Sequence, residues 1–104
     1  MPAVAIVARG DGVQSAHRFE TAREAETFAR EWMARNRSMP SRITDANAAH
    51  VAVKAPNPDG PHDVDGMCTV AIWRGWGGDW FRGWYSPWVG GAARYEKEAF
   101  SSAE

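Results

Sequence analysis

With 104 residues, the chain has room for one ordinary domain and excludes a second independent core. Hydrophobic residues at 44% and charged residues at 24% exclude general disorder. Twelve basic against 13 acidic side chains leave a formal charge of −1, so no global field recruits polyanions or anionic membranes.

The single cysteine, Cys68, rules out an intramolecular disulfide, and the cytoplasm is the expected compartment. The apolar run over residues 1–8 is too short to cross a bilayer, and no basic stretch precedes it. Neither a signal peptide nor a membrane anchor is expected.

In chain order, residues 3–8 carry Val4, Ile6 and Val7 and read as a strand. Gly10-Asp11-Gly12 supplies turn chemistry, and Val13, Ser15, His17 and Phe19 then alternate with Gln14, Ala16 and Arg18. The pattern predicts a hairpin. Thr21-Ala22-Arg23-Glu24 has capping-box spacing, in which Thr21 and Glu24 satisfy each other's backbone donors. Ala22, Ala25, Phe28, Ala29, Trp32 and Met33 recur at steps of three and four, which predicts an amphipathic helix from Thr21 to about Asn36. Pairs Glu26–Arg30 and Glu31–Arg35 fall on its exposed face, and Pro40 follows its end.

Residues 41–49 read as a connection and His50–Ala55 as a short strand. The Pro, Gly, Asn and Asp content of residues 56–66 predicts a loop. Met67–Arg74 reads as a strand with Cys68, Val70 and Ile72 on one face and Met67, Thr69, Ala71 and Trp73 on the other. Gly75–Asp79 reads as a turn, Trp80–Tyr85 as a strand and Ser86–Gly91 as a further turn. The expected architecture is therefore α+β over residues 1–104: an antiparallel sheet of four to five strands in ββαβββ-like order, one main helix on one face, and a frayed tail near 101–104.

From Trp73 to Trp88 the chain carries seven aromatics in sixteen residues, with Trp76, Trp80, Trp84 and Trp88 each four apart. Glycines at 75, 77, 78 and 83 and Pro87 disfavour a helix, at about 1 kcal/mol for each Gly and 3 for the Pro. On the strand, Trp80, Arg82 and Trp84 share a face, with Phe81 and Tyr85 opposite. Core packing accounts for one or two of these rings. The remainder, with Arg82, have the composition of an interface hot spot, so the candidate binding residues are Trp76, Trp80, Arg82, Trp84 and Trp88.

No catalytic constellation is legible. His17, His50 and His62 fall in different elements, and Cys68 lies mid-strand with no nucleophile signature around it. His62, Asp63 and Asp65, with Asp59 nearby, form a compact cluster. However, aligning Gly66 as the turn glycine of a calcium loop puts Pro61 and Ile72 at ligand positions, so the cluster reads as a metal-free turn. Gly75-Trp76-Gly77-Gly78 matches no phosphate loop, and no cofactor is expected. The expectation is a small non-enzymatic module that binds another protein, a regulator or inhibitor of the kind carried by mobile elements. A self-complementary patch would instead make a homodimer. The alternative is an aromatic stacking platform for single-stranded nucleic acid or carbohydrate. Arg74, Arg82 and Arg94 against Asp79 leave +2 over residues 73–95 (three minus one), a weak attraction for nucleic acid.

Overall fold

The computed structural model of the chain describes residues 2–39, 49–56, 67–86 and 91–98. In these segments the elements run β1 (Ala3–Ala8), β2 (Gln14–Phe19), α1 (Ala22–Arg35), β3 (His50–Pro56), β4 (Met67–Trp76), β5 (Asp79–Ser86) and β6 (Gly91–Lys97). The strands form one antiparallel sheet in the order β2-β1-β3-β4-β5-β6, and α1 packs on one face of it. The fold is α+β.

The helix begins where the capping box places it. Thr21 Oγ1 accepts from the Glu24 N–H at 3.1 Å, and the Thr21 N–H donates to Glu24 Oε1 at 3.2 Å. At its end the Asn36 side chain donates to the Trp32 carbonyl at 2.8 Å. Ala25, Ala29 and Met33 are buried, with Ala22, Phe28 and Trp32 partly buried beside them. The small Ala25 and Ala29 meet a small-residue floor in β1, where Ala3, Ala5 and Val7 point the same way, so the helix lies mainly over β1 and β3. Phe28 sits at the rim of the stripe, 4.6 Å from the His17 ring and 5.2 Å from Phe19 between centroids.

Val51 and Val53 of β3, Ala71 and Trp73 of β4, and Trp80 of β5 complete the core on this helix side. Past the helix, the chain returns across the sheet end: the Met39 N–H donates to the Arg9 carbonyl at 2.8 Å. Ser38 is buried, and its hydroxyl donates to the Asp79 carbonyl (2.8 Å) while accepting from the Gly78 N–H (3.0 Å). This contact latches the segment after α1 onto the β4–β5 turn.

Four expectations change. The sheet has six strands, because Gly91–Lys97 pairs with β5; Gly91 opens this strand instead of ending a turn. The turn placed at Gly75–Asp79 is confined to Gly77 and Gly78, both at positive φ (65° and 92°), as a two-residue hairpin turn requires. β4 therefore continues to Trp76. Its faces also differ from simple alternation. Val53 pairs with Ala71 but Lys54 pairs with Thr69, so Val70 is an extra residue. The bulge puts Cys68 opposite Ala55 on the helix side and turns Met67 and Thr69 to the open face beside Lys54 and Pro56. Finally, Val13 precedes β2 and is exposed, its N–H held by Asp11 Oδ1 at 3.0 Å. Residues 57–66, with His62, Asp63 and Asp65, lie outside the described residues, as do Trp88 and the tail at 101–104. No helix among the described residues is long and apolar enough to cross a membrane.

Candidate functional site

The two-residue turn fixes the register of β4 against β5: Trp76 faces Asp79, Gly75 faces Trp80 and Trp73 faces Arg82. Trp80, Arg82 and Trp84 thus project to the helix side, but their fates differ. Trp80 is 2% exposed, packs edge-on against Trp32 at 5.7 Å, and donates its indole N–H to the Asn36 carbonyl at 2.9 Å. It is a core residue. Trp84 is 40% exposed. Between them Arg82 is half-buried, its guanidinium 4.5 Å from the Trp84 ring and 5.0 Å from that of Trp73, which is 0% exposed.

This stacking extends in both directions. Arg30, reaching down from α1, lies 5.4 Å from the other part of the ladder at Trp73, and Arg94 of β6 lies 5.7 Å from Trp84. The result is an alternating series, Arg30, Trp73, Arg82, Trp84, Arg94, with each cation over an indole. Such contacts contribute about 0.5–1 kcal/mol at exposed sites and about 2 where desolvated.

The outer cations are neutralised. Arg30 donates to Glu26 Oε2 and Glu98 Oε2, both at 3.2 Å, and Arg94 pairs with Glu96 at 3.5 Å. Burial acts to lower the Arg30 pKa, but hydrogen bonds and charge from Glu98 and Glu26 outweigh it, so the value is raised. Glu98 also takes the Trp73 indole N–H on Oε1 at 2.9 Å. Arg82 is different. Among the described residues its guanidinium has one hydrogen bond, to the neighbouring Gly83 carbonyl at 3.3 Å, and no carboxylate partner. It lies close to two indoles, and among the described residues most of its donors have no partner, an arrangement suited to donating to a partner's carboxylate or main-chain carbonyl.

Of the five candidate residues, the fold brings together Arg82 and Trp84. Trp80 goes into the core. Trp76, 61% exposed, stands at the hairpin end on the opposite face of the sheet. Trp88 lies outside the described residues. Trp73, Arg30, Arg94 and Glu98 belong to the site although the sequence reading left them out. The tight Gly77-Gly78 turn is the signal that finds Trp73, since the register it sets puts Arg82 opposite that ring; no local signal places Arg30, Arg94 or Glu98.

The other reactive side chains are engaged separately. The Cys68 thiol lies 3.5 Å from the Ala55 carbonyl, His17 contacts Ser15 Oγ at 3.2 Å, and His50 contacts Gln14 at 3.0 Å. No group of three or more His, Cys, Asp or Glu among the described residues is placed to hold a metal ion. The chain matches no family model, no curated protein and no solved structure.

Proposed function

We propose that the chain is a non-enzymatic interaction module that binds another protein, as a cytoplasmic regulator or inhibitor, through the surface formed by Arg82 and Trp84. The observation that carries this reading is the position of Arg82: a guanidinium between two indoles and beside an exposed ring, with most of its donors unpartnered among the described residues. A pre-positioned Arg–Trp pair loses little side-chain entropy on binding and has hot-spot composition. Charge favours protein over nucleic acid at this surface. Arg30, Arg82 and Arg94 against Glu26, Glu96 and Glu98 sum to zero (three minus three), which offers no net attraction to a phosphate backbone.

The test is affinity capture from the source cells, identification of the retained protein, and titration of that protein against variants. Trp84→Ala and Arg82→Ala should each weaken binding by about 1–2 kcal/mol or more, measured at a temperature where circular dichroism shows each variant folded, because losing the stacked contacts also lowers the melting temperature. Unchanged affinity in both variants overturns the assignment. A concentration-dependent dimer in sedimentation, broken by Trp84→Ala, would make the partner a second copy of the chain.

A further inference from the structure

The sheet face away from α1 carries a second surface of different chemistry. Three rings lie on it along a diagonal that crosses three strands: Trp76 on β4, Phe81 one strand over and one side-chain step along, and Tyr95 the same displacement further on β6. Diagonal neighbours of this kind are about 7–8 Å apart. Trp76 is 61% exposed, Tyr95 is 37% exposed and Phe81 is half-buried between them. Phe81 has Arg74 as its cross-strand partner on one side and Lys97 on the other, so the middle ring is flanked by cations. In the next row the buried Gly83 lies between Ile72 and Tyr95.

Charge is also segregated. Pairing places Arg18, Lys54, Arg74 and Lys97 on this face with Asp79 as the acid, a sum of +3 (four minus one) among the described residues, although the whole chain is −1. Lys97 and Asp79 approach to 3.7 Å, but Lys97 is exposed and Asp79 half-exposed, and such a pair is weak. Arg18 and Lys54 border a hollow of about 420 Å³ floored by Val4 and Ile6 at the other end of the face.

We infer that this open face binds single-stranded nucleic acid, with successive bases on Trp76, Phe81 and Tyr95 and phosphates near Arg74 and Lys97. Spaced rings interleaved with cations suit splayed bases, since every base has a face to stack and every linkage a charge to neutralise. A duplex hides its base faces and would gain only the charge attraction. This surface lies across the sheet from Arg82 and Trp84, so it stands or falls independently of the protein-binding reading.

The test is fluorescence anisotropy of a labelled oligothymidylate of about ten nucleotides at low salt. Binding is expected, and Trp76→Ala and Tyr95→Ala, both at the surface, should each weaken it at least about fivefold. Lys97→Glu should weaken it as well. With the two phosphates near Arg74 and Lys97 neutralised, a fourfold rise in salt should reduce affinity roughly sevenfold. Trp84→Ala on the other face should leave it unchanged, and Tyr95→Ala should leave protein capture unchanged. The inference is overturned by absence of binding at low salt, by equal affinity for a duplex of the same sequence, or by indifference to both ring substitutions. Equal loss in Trp84→Ala, or preferential capture of a polyglutamate peptide, would overturn it too.

Discussion

Glu98 links the core to the surface. Its two oxygens take the indole N–H of fully buried Trp73 and the guanidinium of Arg30. Buried indoles keep their N–H satisfied, as Trp80 does with the Asn36 carbonyl. Glu98→Ala would leave the Trp73 donor without a partner, and a destabilisation of about 1–3 kcal/mol is expected in urea unfolding. Glu98→Gln keeps an acceptor for Trp73 and should be milder; equal losses would place the effect in the charge. The sign of the pH dependence follows from the raised Arg30 pKa. Stabilisation from a raised cation is complete below the unfolded-state pKa and disappears only as pH rises through the folded-state value, so it persists throughout the ordinary working range of pH. Reading these roles from sequence alone failed for a simple reason. Glu26 and Arg30 make an ordinary helix-surface pair, and nothing local shows that a residue 68 positions later completes it.

At the scale of elements, the β4–β5 hairpin uses its glycines for two different purposes. Gly77 and Gly78 supply positive φ at the turn, whereas Gly75 supplies space. A Cβ on Gly75 would meet the Ser38 side chain, come within 2.7 Å of Ala49 Cβ and within 2.9 Å of the Trp80 ring. Neither neighbour can swing aside, since Ala49 has no rotamer and Trp80 is hydrogen-bonded in the core. Gly75→Ala should therefore destabilise by about 3 kcal/mol, near the upper end of usual overpacking costs, measured as a lower urea midpoint at unchanged slope. A loss below about 0.5 kcal/mol would show that the turn shifts to make room. In the sequence these glycines look alike, and that is why the turn was read as five residues and the ladder of stacked arginines went unseen. The helix was legible because capping box and periodicity agree on the same boundaries. β6 was not, since Gly91-Ala92-Ala93 lacks the branched residues that mark strands. The bulge at Val70 leaves no trace either, because β4 is apolar on both faces and a change of phase does not interrupt the pattern.

For the whole molecule, the strand order sets a hierarchy of stability. β1, β3, β4 and β5 lie inside the sheet, and β3 has Val51 and Val53 fully buried beneath α1, whereas β2 and β6 are edges. Hydrogen exchange should be slowest in β1, β3 and β4 and fastest in β2 and β6. Uniform rates across all six strands would mean that the sheet opens only by global unfolding. The same order has a consequence during synthesis. β1 and β2 pair locally, and β3 adds to β1 once the helix has been made, but the outer edge of β3 must wait for β4. The 20 residues from position 57 to 76 take about 1–4 s to translate. For those seconds the nascent chain displays an unpaired, valine-rich strand edge that any extended polypeptide can template upon, and chaperone protection matters most during that interval.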